Sequence, residues 1–241
     1  MNILTIGNSF SNSLNAYFPQ VAESVSEKLN LQAASFGGCE LERHWAYIEA
    51  EENNPVCRIY RGGASKLSDI LQSENWDIVT IQQASAFSWR AESYEPYAEN
   101  IIEYIKKHAP SAEIIIQQTW AYRADAIQLQ KESDWNLNQQ QMFELLKENY
   151  RKMGERHNCR IIPTGLAVQL ARENEERKFK CSSKEYIEKL RWPDLPPQAS
   201  DVVGKYYWTK NLENGELEIK ADLTHLNCRG EYLQACLWLA F

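Results

Sequence analysis

The sequence predicts an α/β fold, a three-layer, doubly wound arrangement around a mostly parallel sheet of five strands. Short apolar runs alternate along the chain with amphipathic stretches of helical period. The stretches between successive strands are long enough for the crossover helices that parallel strands require. The strand candidates are apolar at consecutive positions, which is typical of strands buried on both faces.

The first half of the chain supplies three of the strands. Residues 3–6 form the first strand, which ends at Gly7, and residues 14–29 carry apolar side chains at helical spacing. Residues 31–36 form the second strand and residues 77–82 the third. Helices are predicted between the second and third strands, on either side of an irregular segment (residues 53–65), at residues 41–50 and 67–71.

The second half continues the alternation as far as residue 177. Residues 113–117, with three consecutive isoleucines, form the fourth strand, and residues 160–163 form the fifth. The helical spacing of apolar residues predicts further helices at residues 97–108, 136–157, 166–177 and 228–241.

One domain covering residues 1–241 is expected, because no linker rich in proline, glycine or serine divides the chain. Residues 178–220 interrupt the alternation and are interpreted as an irregular insertion over the edge of the sheet. Within it, residues 206–209 and 217–219 can pair as a hairpin across the turn Glu213-Asn214-Gly215.

The composition excludes several classes of protein. With 44% hydrophobic and 24% charged residues the chain is not of the disordered class. A net charge of −7 argues against nucleic acid or an anionic membrane as a partner, since both need clustered Lys and Arg. No apolar run reaches about 18 residues, so no membrane span is predicted. Residues 1–6 lack the features of a signal peptide, so a cytoplasmic location is expected unless an export signal was removed before them.

Neither a metal nor a cofactor is predicted. The six cysteines are scattered without a Cys-x-x-Cys pair and are expected to be reduced, mostly buried thiols. Cys39 with His44, or His157 with Cys159, does not provide four ligands at the spacing of a structural zinc site. Glycine-rich nucleotide-binding motifs in the required context are also missing.

Ligands of open α/β sheets bind beyond the carboxyl ends of the strands. The residues there, and just before the last helix, include a serine, glycines, carboxamides and a histidine near a carboxylate; they are Gly7-Asn8-Ser9-Phe10-Ser11, Gly37-Gly38-Cys39-Glu40, Gln83-Ala84-Ser85, Gln118-Thr119-Trp120 and Asp222-Leu223-Thr224-His225. A nucleophile, a base and oxyanion donors are the parts of an acyl-transfer site.

Ser9, at the start of a predicted helix, can attack a carbonyl while the helix N-terminus stabilises the oxyanion. Asp222 precedes His225 by three residues. In a loop or a single turn its carboxylate can therefore hold one ring nitrogen, while the other nitrogen takes the Ser9 proton. Structural roles stay open: Ser9 or Ser11 as a helix cap, Asp222 as a turn residue and His225 as a structural histidine.

Two of these segments carry a resemblance to a known family. The first, Gly7-Asn8-Ser9-Phe10-Ser11, resembles the Gly-Asp-Ser-x-Ser block of the SGNH, or GDSL-like, hydrolases. The last, Asp222-Leu223-Thr224-His225 followed by Gly230, resembles their final Asp-x-x-His block. Block order and position agree, so the resemblance covers nearly the whole chain. Three further phrases, at residues 82–85, 118–122 and 162–165, look like a less characterised branch of that superfamily.

The resemblance implies a role for each matching residue. Ser9 is implied to be the nucleophile and an oxyanion donor through its N–H, with Gly38, or else Gly37, as the second donor. The third block of the family supplies an asparagine, which this sequence lacks, and Gln83 is taken as the substitute because it carries the same carboxamide. Asn8 replaces the usual aspartate, keeping its size without its charge.

The predicted function is hydrolysis of a small ester by Ser9, His225 and Asp222, with an O-acetyl group on a carbohydrate as the expected substrate. The residues expected to line the substrate pocket are Asn8, His44, Trp120 and Tyr122. A surface helix is the alternative location for His44, and core packing is the alternative for Trp120 and Tyr122. The oligomeric state is left open. A lipase or thioesterase, which needs an apolar tunnel, and a non-catalytic carbohydrate-binding protein are the alternative functions.

Overall fold

The computed structural model describes residues 1–131, 133–174, 176 and 178–241. Its central sheet has five strands: β1 (Asn2–Gly7), β2 (Asn30–Ser35), β3 (Ile78–Ile81), β4 (Glu113–Gln117) and β5 (Ile161–Ile162). The strand order is β2-β1-β3-β4-β5, and each neighbouring pair is parallel. This is the flavodoxin-like order, so the predicted α/β fold is confirmed.

Helices connect the strands and cover both faces of the sheet. In the described residues they are α1 (Ser9–Asn12), α2 (Phe18–Ser24), α3 (Leu41–Asn53), α4 (Tyr60–Gly63), α5 (Leu67–Gln72), α6 (Tyr97–His108), α7 (Gln139–His157), α8 (Thr164–Asn174), α9 (Lys184–Lys189) and α10 (Cys228–Ala240). Short 3₁₀ turns lie at Ser13–Ala16, Ala91–Ser93 and Ile127–Leu129.

The two faces of the sheet bury different apolar clusters, because side chains alternate along each strand. Ile114 and Ile116 belong to the larger cluster. Ile115 lies on the other face, where it joins Phe18 of α2 and Trp238 of α10. Burial on both faces explains why β4 is apolar at consecutive positions.

The single helix predicted at residues 14–29 is wrong. The chain forms α1, a 3₁₀ turn and α2 there, and the helical structure ends at Ser24. Pro19 lies in the first turn of α2, where its missing N–H is tolerated, so a new helix begins instead of the old one continuing. The other predicted strands and helices are present with shifted ends. Arg177, where one predicted helix ends, lies outside the described residues.

Strands β6 (Val203–Lys210) and β7 (Leu217–Leu226) form a separate antiparallel pair, called the ribbon below. The hairpin predicted here is confirmed, with Trp208 opposite Ile219. Its strands are longer than predicted, and α9 precedes them, so much of residues 178–220 has regular structure. The C-terminal end of β7 leads directly into α10, which packs against the central sheet region of the domain.

All six cysteines lie within the described residues and are free thiols. Only Cys39 is buried, so the expectation that most of them are buried is wrong. None of the helices in the described parts of the chain combines the length and the apolar character that crossing a bilayer requires.

Candidate active site

Strand β1 lies between β2 and β3, where the strand order reverses and where ligands of such sheets bind. The chain turns there from β1 into α1, whose first residue is Ser9. Asn8 caps this helix, because its Oδ1 accepts a hydrogen bond from the Phe10 N–H (3.0 Å). Since Asn8 is the cap, and neither Ser9 nor Ser11, the Ser9 hydroxyl is left for another partner.

That partner is His225. The Ser9 Oγ lies 2.7 Å from Nε2 of His225, and Nδ1 of the same ring lies 2.8 Å from Oδ2 of Asp222. A proton on Nδ1, shared with the carboxylate, leaves the Nε2 lone pair facing the serine hydroxyl. The imidazole is 41% exposed, so a substrate can reach it from solvent.

Asp222 and His225 both lie on β7, and not in the loop or single turn predicted from their spacing. Pairing with β6 continues as far as Leu226 because a bulge between Val203 and Lys205 absorbs a change of register. The Oδ1 of Asp222 accepts hydrogen bonds from the N–H groups of Thr224 (3.2 Å) and His225 (3.1 Å). These bonds orient the carboxylate, so that its other oxygen meets the imidazole.

The Asp222 carboxylate is held in its ionised form. The hydrogen bond from the His225 ring, together with bonds from backbone N–H groups, lowers the pKa of Asp222 well below its usual range despite partial burial. An ionised carboxylate at this position stabilises the imidazolium that forms when the histidine takes a proton. The pair can therefore accept a proton from Ser9 and return it.

A buried ion pair that the sequence analysis missed supports β7. Arg123 is fully buried and forms a two-pronged ion pair with Asp125 (2.7 and 2.9 Å). Its backbone N–H donates to the carbonyl of Leu223 on β7, and Tyr206 of β6 donates to Asp125 (2.7 Å). These contacts fix the strand that carries the histidine. An arginine and an aspartate soon after the fourth strand are the sequence signal, which does not reveal an ion pair by itself.

Two backbone N–H groups can face a developing oxyanion. Within the described part of the chain, the N–H groups of Ser9 and Gly38 have no protein acceptor. Gly38 is exposed and has a φ of +60°, a conformation that favours glycine. Asn8 Nδ2 donates to the carbonyl of Cys39 (3.0 Å) and so ties the turn after β2 to the turn after β1. Ser9 and Gly38 are thereby held on adjacent turns.

Gln83 is not placed to act as the third donor, and its predicted role is corrected. The side chain is completely buried. Its Nε2 donates to the carbonyl (2.6 Å) and the hydroxyl (3.0 Å) of Ser93, and its Oε1 accepts from the Leu41 N–H (3.1 Å). Because both amide hydrogens are used, Gln83 connects the segments that contain Leu41 and Ser93 and does not face a substrate.

Asn8 and His44 are also too deeply buried to touch a substrate, so their predicted place in the pocket is wrong. Asn8 accepts a further hydrogen bond from Gln82 Nε2 (2.7 Å). The two ring nitrogens of His44 are shared with the Tyr60 hydroxyl and the Gly7 carbonyl, each at 3.0 Å. Burial lowers the pKa of His44 to about 4, so the ring is neutral at pH 7.

Trp120 and Tyr122 are buried below the surface, so their predicted place in the substrate pocket is wrong. Trp120 is fully buried against Phe10 (ring centroids 4.2 Å apart), and its Nε1 donates to the carbonyl of Thr224 (2.9 Å). Tyr122 is buried as well, with its hydroxyl 2.9 Å from that of Ser85. Trp120 thus supports Phe10, whose ring centroid lies 5.2 Å from that of His225.

A pocket of about 420 Å³ opens beside Asp222 and His225. Its opposite wall comes from the loop after β4, with Asp125, Ile127 and Gln128. Apolar side chains (Ile127, Ala221 and Leu223) and polar ones (Asp125, Gln128 and Thr224) both line it. Such a mixed lining suits a small group better than a long acyl chain.

Comparison of the sequence with protein families gives one match. A family model described as a domain of unknown function, DUF4886, matches residues 2–181. The matched part contains the five strands of the sheet and Ser9, but ends before Asp222 and His225. Among the curated proteins, none matches this sequence significantly.

Solved structures similar to this chain share its fold over nearly its whole length. A DUF4886 family protein from Bacteroides uniformis is 24% identical, with a TM-score of 0.71 over 99% of this chain and 81% of the other. A proposed SGNH hydrolase from Slackia heliotrinireducens is 19% identical, with a TM-score of 0.59 over 100% and 97%. An acetyl xylan esterase is 12% identical, with a TM-score of 0.56 over 100% and 98%. The chain therefore has the α/β fold of the SGNH hydrolases.

Proposed function

The chain belongs to the DUF4886 family, and we propose that it is a serine ester hydrolase with Ser9 as nucleophile, His225 as general base and Asp222 as the group that orients the histidine. The observation that carries the proposal is the continuous set of contacts from Ser9 Oγ through the His225 ring to Asp222, at 2.7 and 2.8 Å. A nucleophile, a base and an orienting carboxylate in this order support acyl transfer.

In the proposed reaction, Ser9 Oγ attacks the ester carbonyl carbon while Nε2 of His225 takes the hydroxyl proton. The N–H groups of Ser9 and Gly38 stabilise the oxyanion, and each such donor is typically worth about 2.7–4 kcal/mol. Collapse of the intermediate breaks the bond to the alcohol, which receives the proton from His225. Water then attacks the acyl-enzyme by the same steps, and the free acid leaves.

The proposed substrate is a short-chain ester, an O-acetyl group on a carbohydrate. The pocket beside Asp222 and His225 has the polar side chains of Asp125 and Gln128 among its apolar ones, which supports a short acyl group over a long one. The resemblance to an acetyl xylan esterase is one of fold, and it makes acetylated xylan a concrete substrate to test.

Hydrolysis of p-nitrophenyl acetate by the purified protein tests the mechanism. Ser9→Ala is expected to lower kcat by roughly 10⁴- to 10⁶-fold, because the nucleophile is lost. Ser11→Ala, a change of the same kind in the same short helix, is the matched control and should keep the parent activity. An inactive parent, or a Ser9→Ala variant as active as the control, contradicts the proposal.

Acetate release from acetylated xylan, compared with hydrolysis of p-nitrophenyl palmitate, tests the substrate. We expect the first reaction to be the faster, since polar side chains interrupt the apolar lining of the pocket beside His225, whereas a long acyl chain needs a continuous apolar tunnel. Preference for the palmitate ester would assign the protein to the lipases or thioesterases instead.

A further inference from the structure

A second cleft lies on the ribbon, away from the triad. It holds about 510 Å³ between α9, the turn that follows this helix, and the outer half of the ribbon. The indole rings of Trp192 and Trp208 line it together with three charged side chains and with the aliphatic side chains of Ile187, Leu190, Leu217 and Ile219. None of the catalytic steps proposed above uses these residues.

The two tryptophans offer flat apolar surfaces to this cleft. Trp192 is 66% exposed, which is unusual for so large an apolar side chain. Trp208 is half-buried, and its ring is fixed because Nε1 donates to the carbonyl of Asp194 (2.9 Å). Rigid aromatic rings at a surface are typical binding groups, since they cover a large area and lose little conformational entropy.

The charged groups around the cleft have both signs. Glu188 and Glu218 contribute carboxylates, and Arg191 contributes a guanidinium. A hydrogen bond from Lys220 lowers the pKa of Glu218, so this carboxylate is ionised and accepts hydrogen bonds. Acceptors and donors beside aromatic faces suit a neutral ligand with many hydroxyl groups and an apolar face, as a pyranose has. A polyphosphate ligand would instead be repelled by the carboxylates of Glu188 and Glu218.

Strand β7 leads from the cleft to the triad. Ile219 lines the cleft, and Asp222 and His225 follow on the same strand. At about 3.4 Å per residue, Ile219 lies about 10 Å from Asp222 along the strand, and the His225 ring contacts that carboxylate. Alternate residues of a strand share a face, so Ile219 lies on the same side of the ribbon as Ala221, which lines the pocket beside His225. A ligand several sugar units long can span this distance.

We propose that the cleft between α9 and the ribbon binds the sugar chain whose ester is cleaved at Ser9, an inference that rests on the proposed esterase function. Pyranose units stacked on Trp192 and Trp208 would place the rest of the chain along β7. Binding energy from these remote units holds the ester at the triad, so acetylated oligosaccharides are better substrates than acetylated monosaccharides.

Binding is measured without turnover by isothermal titration calorimetry on the Ser9→Ala protein. The probes are neutral hexasaccharides of xylose, of glucose and of N-acetylglucosamine, and at least one is expected to bind. Adding Trp192→Ala should raise its Kd about tenfold or more, equivalent to about 1.4 kcal/mol. Tyr207→Ala removes an exposed aromatic ring from the opposite face of the same ribbon and should bind as the parent does.

Each result decides between the alternatives, provided that thermal unfolding shows both variants to be folded. If no hexasaccharide binds, or if Trp192→Ala binds as tightly as Tyr207→Ala, the proposal is overturned. A homodimer in solution that Trp192→Ala converts to a monomer also overturns it, because the cleft then receives a second copy of the chain. If binding depends on Trp192 in a protein that hydrolyses no ester, the sugar site stands and the esterase proposal falls.

Discussion

His44 and His225 belong to two polar layers at the same end of the sheet. Both rings use both nitrogens, but His44 is completely buried between Tyr60 and Gly7, whereas His225 is 41% exposed between Asp222 and Ser9. The inner layer, with Asn8, His44 and Gln83, joins loops to one another. The outer layer, with Ser9, Asp222 and His225, faces a pocket. Burial, and not residue type, therefore separates the two kinds of role.

The inner layer also positions the outer one. Asn8 connects the exits of three strands, because it bonds to Phe10 after β1, to Cys39 after β2 and to Gln82 after β3. The Ser9 and Gly38 N–H groups lie beside these contacts in the chain. Substitutions in the outer layer should therefore abolish catalysis. Substitutions in the inner layer should mainly lower stability, and they should affect catalysis only by moving the residues of the outer layer.

The largest expected effect comes from the outer layer. Asp222→Asn keeps the shape of the side chain but presents an amide to Nδ1 of His225, so the ring takes the wrong tautomer and Nε2 cannot accept the serine proton. We expect kcat for p-nitrophenyl acetate to fall roughly 10⁴-fold, as measured with the folded variant. Glu216→Gln, which neutralises an exposed carboxylate at the tip of the ribbon, should leave kcat unchanged. Equal losses in both variants would mean that the charge of the ribbon matters and not the orientation of His225.

The sequence predicts the outer layer better than the inner one for a physical reason. Ser9, Asp222 and His225 lie in short blocks whose residue types follow from acyl-transfer chemistry, and strands such as β4 follow from continuous apolar runs. The role of Gln83 depends instead on its hydrogen bonds to Ser93, which is ten residues further along the chain.

Partners of this kind are set by tertiary packing, which no local pattern records. Trp120 shows the same limit, because its ring, in the loop after β4, stacks on Phe10 of α1, which is distant in the sequence. The exposed Trp192 and the half-buried Trp208 come from residues 178–220, where the alternation of strands and helices gives no guide.

The second effect concerns stability and pH in the inner layer. The folded protein holds His44 neutral with a pKa of about 4, while an unfolded chain binds a proton near pH 6.5. The stability that the neutral ring contributes is thus present above about pH 6.5 and is lost as the pH falls toward about 4. Urea unfolding should show that the parent loses roughly 3 kcal/mol more between pH 7 and pH 4 than His44→Gln does.

Tyr60→Phe provides the control for this pH dependence. It removes the hydroxyl that bonds to Nδ1 of His44 but leaves the imidazole buried. The loss of stability toward acid should therefore remain in Tyr60→Phe and disappear only in His44→Gln. If His44→Gln loses as much stability as the parent between pH 7 and pH 4, other groups dominate the acid response, and the inner layer is not the neutral, buried layer described here.

The smallest expected effect tests whether the inner layer positions the outer one. In Asn8→Asp the amide that donates to the Cys39 carbonyl becomes a carboxylate oxygen, which repels that carbonyl and pushes the turn with Gly38 away from Ser9. We expect kcat for p-nitrophenyl acetate to fall about tenfold, equivalent to about 1.4 kcal/mol, because one oxyanion donor is displaced but not removed. Asn12→Asp adds the same charge to an exposed position where the oxygen still accepts from Ser35, so it should match the parent. If Asn8→Asp also matches the parent, the two layers are independent and Gly38 is held by something other than Asn8.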